Sequence, residues 1–544
     1  MAERTVIQWD KYDIEALGLL KIDVLALGML SAVHRCFDLI SQHQQIDLTM
    51  QSIPKDDPAT YDMLCAADSV GVFQIESRAQ MAMLPRLKPR CFYDLVIEIA
   101  IVRPGPIQGG MVHPYLRRRQ GLEAVDYPSQ EIKSVLERTL GIPVFQEQVI
   151  RLAMVAAGFS GGQADQLRRA MASSGKSGSS SGNNPTLAHF EQKLTDGMVA
   201  RGYSLDFAER LFKQIQGFGV YGFPESHSAS FALLAYVSAW LKCHHPAAFC
   251  CALLNSQPMG FYSPSQLLQD AQRHQIEIRP IDVCHSSWDH SLETNSLETN
   301  SLETNSLETG SSAEPAIRLG LCLIKGLSHQ TAQRIVSAQR NSQQGFNGLA
   351  QLSRAAGLSQ ADLALLSSAG ALRSLTSNRR QAHWDALAIE DYRPLLESAQ
   401  GSESLPAILS TPSEVEELNA DYSNTGVSLG RHPMAILREQ SKILQRCKRT
   451  IDLPSLGNRR FVRIAGLVTG RQRPGTASGV IFLTLEDETG NSNIVVWTRV
   501  QERCREALLK GHLLMVKGVV ETDGNVVHVI AQELTDCSSL MAEL

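Results

Sequence analysis

From Phe461 onward the chain alternates. FVRIAGLVTG, GVIFLTLEDETG, SNIVVWTR, LLMVKGVVE and NVVHVIAQEL each place apolar residues at every second position, and Gly, Asn and Asp turns separate them. A period of two cannot be satisfied by a helix, so these segments are strands with one face in a core. A helical pattern at Val500 to Leu509 falls between the third and fourth strands. Five strands with a helix there read as an OB-fold barrel over 461–535. Such barrels hold single strands through basic and aromatic residues on one face, and Arg463, Arg471, Arg473, Phe482 and Trp497 are the candidates. Phe482 and Trp497 fit a core position equally well.

The rest of the chain belongs to other domains, because 544 residues exceed what one core organises. The formal charge of -5 is not that of a uniformly basic binder, so contact with DNA must come from local clusters. Eleven cysteines without regular spacing, Cys250 and Cys251 among them, argue for a reducing compartment. The opening MAERTVIQWDKYD lacks the apolar core of a signal peptide. The longest apolar run, FALLAYVSAWL, is cut by Lys242, His244 and His245 and is too short to span a bilayer. A cytoplasmic protein without membrane contact is expected.

Near the amino terminus, GLLKIDVLALGML (Gly18 to Leu30) reads as a strand in its first half. Lys21, Asp23 and Leu25 share one face, and Leu20, Ile22 and Val24 the other. A half-buried Asp must pair with a cation or bind a metal; Lys21 is an available partner. Residues 31–65 read as a helix and a polar segment broken by Pro54 and Pro58. DSVGVFQIESRAQM then leads into a helix capped around Ser77. Arg103 enters the stiff turn RPGP, and Arg117, Arg118 and Arg119 form a basic run whose ordinary role is a solvated face.

GFSGGQADQLRRAMA (Gly158 to Ala172) combines a glycine-rich entry, a helix start and two arginines, a plausible cradle for polyphosphate. Arg168 and Arg169, being adjacent, are expected to point to different sides. In GVYGFPESHSASFALLAYVSAWLKCHH, Ser226 or Ser228 can cap a long apolar helix, with His227 at its start. DVCHSSWDH offers Cys284, His285, Asp289 and His290, but their spacing fits no regular zinc pattern. The SLETN pentapeptide repeated from Ser291 is too polar for a core and too short for a solenoid, and reads as an insertion in a surface loop or hairpin. Lys325-Gly326-Leu327 sits where a helix-hairpin-helix holds a DNA phosphate on backbone amides, and 358–372 looks like a second, degenerate copy.

Taken in order, several of these segments resemble bacterial C-family DNA polymerases, the group containing the DNA polymerase III alpha subunit. GLLKIDVLALGML is similar to the strand carrying the third catalytic aspartate of the palm, and Asp23 is the matching residue. FQIES, RPGPIQGGMV, YPSQ, GIPVFQEQV and the Arg168-Arg169 helix resemble the fingers. PESH has Glu225 where replicative members usually have lysine, and so resembles the error-prone, damage-induced branch; the ending soon after the barrel points the same way.

The resemblance implies a carboxy-terminal part lacking the phosphoesterase-like domain and most of the palm. The expected fold is multidomain α+β: part of a palm with the third aspartate strand (1–65), mostly helical fingers (66–262), a connecting region with the SLETN insertion (263–316), a helix-hairpin-helix region (317–375), a linker and helical segment (376–460) and a carboxy-terminal OB-fold β-barrel (461–535).

The function implied is error-prone, template-directed DNA synthesis in damage repair, with primer-template DNA and deoxynucleoside triphosphates as partners and two Mg2+ ions as cofactor. Asp23 would hold metal and Lys21 offset phosphate charge. Arg168, Arg169, Ser226 and His227 would bind the nucleotide. Arg103, Arg117, Arg118, Arg119, Lys325, Gly326, Arg463, Arg471, Arg473 and Trp497 would meet DNA. A lone carboxylate cannot hold two metals, so the isolated chain is expected to be inactive or nearly so. Contact with a sliding clamp or damage-response proteins would be indirect, since 376–460 shows no clamp-binding motif. The competing reading is a non-catalytic DNA-binding module built on the hairpins and the barrel.

Overall fold

Helices account for the chain from Lys11 to Arg273, and among the described residues no strand precedes Ile278. The computed structural model describes residues 9, 11–20, 25–103, 106–107, 110–174, 185–217, 223–260, 262–294, 314–342, 345–389, 408–473, 479–523 and 526–543. Lys21 and Asp23 lie outside them. The segment before them is no strand: Leu19 N–H bonds back to Ile14 O, closing a short helix, and Leu20 is 85% exposed. After them the chain enters a helix at Leu27 and runs to Gln44.

Helix starts follow local chemistry. Pro58 opens a helix at its first turn, where the missing N–H costs nothing, and Asp57 caps it by accepting from Thr60 N–H at 2.8 Å. Ser77 and Gln80 form a reciprocal capping box before Arg78–Leu87. The body of this region is the pair Phe92–Ile101 and Glu225–His244. Ala232, Ala235 and Ala239 are buried with Leu95, Val96 and Ile99, and Ser228 Oγ crosses the interface to donate to Val96 O at 2.5 Å.

One member of that core is a carboxyl. Glu98 is fully buried, neither oxygen has a hydrogen-bond partner among the described residues, and burial pushes its pKa well above the carboxylate range. The folded state therefore keeps a proton that the unfolded chain releases above about pH 4.3, so stability falls as pH rises beyond that point. Glu98→Met should stabilise by about 1–3 kcal/mol, more at alkaline than at acid pH, as read by urea titration. A loss of stability at alkaline pH would mean that the carboxyl has a partner.

Past Arg273 the architecture changes. Strands β1 (Ile278–Arg279), β2 (Ser291–Glu293) and β3 (Ala316–Arg318) form a small sheet of order β1-β3-β2, with β2 and β3 antiparallel. The repeat thus opens in strand β2, Ser291–Glu293, which pairs antiparallel with β3 as the hairpin alternative requires. Glu293 holds Arg318 at 2.8 Å and Arg279 at 2.6 Å, while residues 295–313 of the repeat lie outside the described residues.

Two hairpin units follow. Gly326 (φ +85°) and Gly357 (φ +58°) each precede Leu-Ser, and the serines, Ser328 and Ser359, cap His329–Asn341 and Gln360–Ser368. Only a residue free to take positive φ makes this turn at low cost. The units lean on each other: Arg334 donates to Gly357 O at 3.0 Å and Thr331 Oγ1 to Asp362 Oδ1 at 3.2 Å.

The carboxy-terminal strands close as predicted. β4 (Phe461–Gln472), β5 (Ile481–Asp487), β6 (Gly490–Val496), β7 (Leu513–Asp523) and β8 (Val526–Asp536) form a barrel of order β4-β5-β6-β8-β7, with β6 and β8 parallel. This is the OB-fold strand order. Its core includes Ile464, Leu483, Leu485, Ile494, Val516 and Val529. The helix between the third and fourth strands is two short ones, Thr498–Arg503 and Arg505–Lys510, with Cys504 between them.

Candidate nucleic-acid interface

In the helical region a cleft of about 1130 Å³ is bounded by Leu25, Met29, Phe73, Arg103 and Tyr262. Leu25 directly follows the Lys21–Val24 segment, so the resembled catalytic strand borders this cleft in sequence. Arg103 is fixed in the wall: it donates to Gln74 Oε1 at 3.0 Å and Ile99 O at 3.1 Å, and its guanidinium lies 4.7 Å from the Phe223 ring centre. Phe223 stands 5.0 Å from the His227 ring, His227 4.2 Å from Phe231, and Phe231 5.4 Å from Phe73. This stack links Arg103 and His227, far apart in sequence, at one side of the cleft. His227 remains exposed.

Ser226 is exposed at the second position of its helix, and neither it nor Ser228 is the cap. Pro224 occupies the cap position, and Glu225 N–H donates to Glu147 Oε2 at 3.0 Å. Glu225 also accepts from the Tyr93 hydroxyl at 2.8 Å. The helix amino terminus thus already holds one carboxylate.

Arg168 and Arg169 depart from the expectation that they diverge. Both meet Asp165, at 2.9 and 2.8 Å, because i+3 and i+4 straddle one helix face. The basic run at 117–119 is likewise paired. Arg117 and Arg118 meet Glu123 at 3.3 and 3.0 Å, and Arg119 meets Asp94 at 2.6 Å.

Lys325 is engaged too. Its ammonium donates to Tyr422 O at 3.0 Å and Ser423 O at 2.8 Å, at the carboxyl end of Glu414–Asn424, and its N–H bonds Asn424 O. A cation at a helix carboxyl end is favourable, and it leaves this side chain tied away from any phosphate at the first hairpin. Gly326 keeps the turn.

On the barrel, Arg471 is exposed but engaged, donating to Leu508 O at 2.8 Å and to Gly511 O at the end of the helix before β7. Arg463 is half-buried in β4. Arg473 is exposed, Trp497 is 53% exposed at the start of Thr498–Arg503, and Phe482 lies on the outer face, opposite in alternation to core Leu483. Cys284 and His290 bind no common centre: His290 is buried and its Nδ1 accepts from Gly320 N–H at 3.1 Å. The Asp57, Cys243 and His244 donors lie within 4.8 Å of one another, but Asp57 Oδ2 is spent on Thr60 and His244.

Family models match three parts of the chain: the bacterial DNA polymerase III alpha subunit finger domain over 29–202, a helix-hairpin-helix motif over 275–382, and an OB-fold nucleic acid binding domain over 462–536. Curated proteins named error-prone DNA polymerase align along all of it. Identity is 59% with that of Saccharophagus degradans, 57% with that of Teredinibacter turnerae and 56% with that of Alkalilimnicola ehrlichii, each covering 100% of this chain and 51%, 51% and 50% of the relative. The chain is similar to error-prone DNA polymerases along its whole length. It spans about half the length of those relatives.

Relationship to DNA polymerases implies a divalent metal. The residues described around the cleft do not make such a site, since their one carboxyl is Glu76, which burial pushes up to about 7 against the Gly71 backbone hydrogen bond. Among the described residues no helix is long and apolar enough to cross a membrane.

Proposed function

We propose that this chain is the carboxy-terminal part of an error-prone DNA-directed DNA polymerase, contributing fingers, hairpins and barrel to damage-induced synthesis. The observation that carries the reading is alignment along 99–100% of this chain, at 53–59% identity, with proteins of that name. The reaction is attack of a primer 3′ hydroxyl, which loses its proton, on the α-phosphate of a deoxynucleoside triphosphate, breaking the α–β phosphoanhydride and releasing pyrophosphate. Asp23 would supply one carboxylate to the divalent metal, and the remaining donors would have to come from outside this chain. Arg168 and Arg169 reach the triphosphate by exchanging Asp165 for phosphate oxygens, which arginine binds bidentately. His227 and Ser226 lie exposed on the same helix start for the nucleotide. Arg103 holds the wall between them and the cleft.

Exposed leucines on either side of Lys21–Val24 in sequence support the reading that more polymerase packs against this stretch. Leu17, Leu19, Leu20, Leu25, Leu27 and Leu30 are 43–85% exposed, more than an isolated surface favours. Primer extension with Mg2+ tests the proposal, using this chain alone, an upstream half taken from a relative, and the mixture. Extension is expected from the mixture only. Robust extension by this chain alone overturns it. No extension from the mixture, with single-strand binding retained, favours the DNA-binding module.

A further inference from the structure

A second cavity, about 490 Å³, separates the fingers helix Arg78–Leu87 from the β5–β6 side of the barrel. Glu76, Ser77 and Tyr262 line both this cavity and the 1130 Å³ cleft, so the two spaces adjoin along one stretch of chain. The second and third strands of an OB-fold form the face that takes nucleic acid. Here that face looks across the cavity at a fingers residue, Arg78.

Arg78 is the cation of the described lining, and Glu76 its one carboxyl. The barrel makes room for the guanidinium at the β4 bulge, where a Cβ on Gly470 would lie 3.2 Å from Arg78 Nη2 and 3.1 Å from Thr484 Oγ1. Arg78 Nη1 and Thr484 Oγ1 are both shielded from solvent and have no hydrogen-bond partner among the described residues. Arginine does not shed its charge, and a desolvated N–H on it without an acceptor is costly. Rotation about its terminal torsions turns Nη1 into the cavity, whose volume lies within the roughly 300–1,000 Å³ of ordinary ligand sites. The amides of Gln472, Asn491 and Asn493 and the Tyr262 ring complete a polar, partly aromatic wall of the kind that suits a single strand.

We propose that Arg78, with Thr484 beside it, binds a phosphodiester of a single DNA strand lying between the fingers and the β5–β6 face, so that this groove leads the strand from barrel to cleft. The inference rests on the reading of the barrel as a nucleic-acid binder. Fluorescence anisotropy of labelled oligothymidylate, titrated with the chain over a salt series, tests it. Arg78→Ala should weaken binding and reduce the slope of log affinity against log salt by about 0.7, the loss of one phosphate contact on a single strand. Arg78→Lys should restore the slope, and Thr484→Val should weaken binding without changing it.

An unchanged slope in Arg78→Ala overturns the site. So does a fall in affinity that Arg78→Lys shares, with limited proteolysis showing a loosened barrel, because that marks a structural contact. Displacement of inorganic phosphate, with strand affinity untouched in Arg78→Ala, assigns a free anion and overturns the strand. Failure of the unmutated chain to bind oligothymidylate overturns the reading of the barrel, and the site with it.

Discussion

Lys242→Met should cost about 3–5 kcal/mol of stability, the range for removing one partner of a buried ion pair. The side chain is 4% exposed, and its ammonium lies 2.7 Å from Asp68 Oδ1, 2.8 Å from Asp270 Oδ2 and 3.1 Å from Val70 O. His274 completes the network. Its Nε2 meets Asp68 Oδ2 at 2.6 Å and its Nδ1 meets Asp270 O at 2.8 Å. Both ring nitrogens thus face acceptors, which only the imidazolium can satisfy, and the Asp68 hydrogen bond raises the His274 pKa against the effect of burial. Burial acts to raise Asp68, but the His274 bond and the Lys242 charge outweigh it and hold it at about 2.

The signs fix the pH dependence. The Asp68 contribution is full above its unfolded value near 3.9 and is lost as pH falls toward about 2. The His274 contribution is full below about 6.5 and is lost as pH rises through its higher folded value. In Lys242→Met the two carboxylates depend chiefly on the imidazolium, so the deficit should be larger at about pH 9 than at about pH 6. Chemical denaturation at both values measures it. An equal loss at both would mean that lost packing of the lysine stem, not charge, sets the cost. The network joins Glu225–His244 to the start of the fingers and to Pro264–Arg273, whose Gln269 reaches barrel Glu486 at 3.0 Å. Its failure should therefore also loosen the barrel.

The second large effect is on activity. In the reconstituted polymerase, Asp23→Ala should lower extension by about 10³-fold or more, since a metal contributes several kcal/mol of charge stabilisation and each 1.4 kcal/mol is tenfold. Affinity for oligothymidylate should stay unchanged, because the barrel is remote in sequence and carries its own core. Single-turnover extension beside anisotropy separates the two. Retained extension would remove Asp23 from the metal site and leave it the structural ion pair with Lys21.

Much was legible where a local rule decides. The strand alternation after Phe461 dictated a closed barrel, because a period of two offers one buried face and the Gly and Asn turns set strand lengths. Ser77 marked a helix start, because a cap is an interaction between residues three apart, whereas the cap expected at Ser226 or Ser228 fell instead to Pro224. The candidate site was less legible. Arg168, Arg169 and Lys325 were visible as charges, but the sequence does not say which carboxylate or carbonyl each one meets. Lys325 is bound by residues about a hundred positions away. Arg78 was hidden inside a helix cap, and nothing in FQIESR signals that a bulge at Gly470 would receive it.

The sequence by itself determined the barrel and the resemblance to error-prone polymerases, since these depend on periodicity and residue order. Only the tertiary structure decided which charges are spent internally, that Arg103 and His227 share one aromatic stack, and that the barrel turns its β5–β6 face toward the fingers. Those outcomes depend on which distant groups a buried or half-buried charge finds as partners. Desolvation makes that choice energetically large, and chain order does not record it.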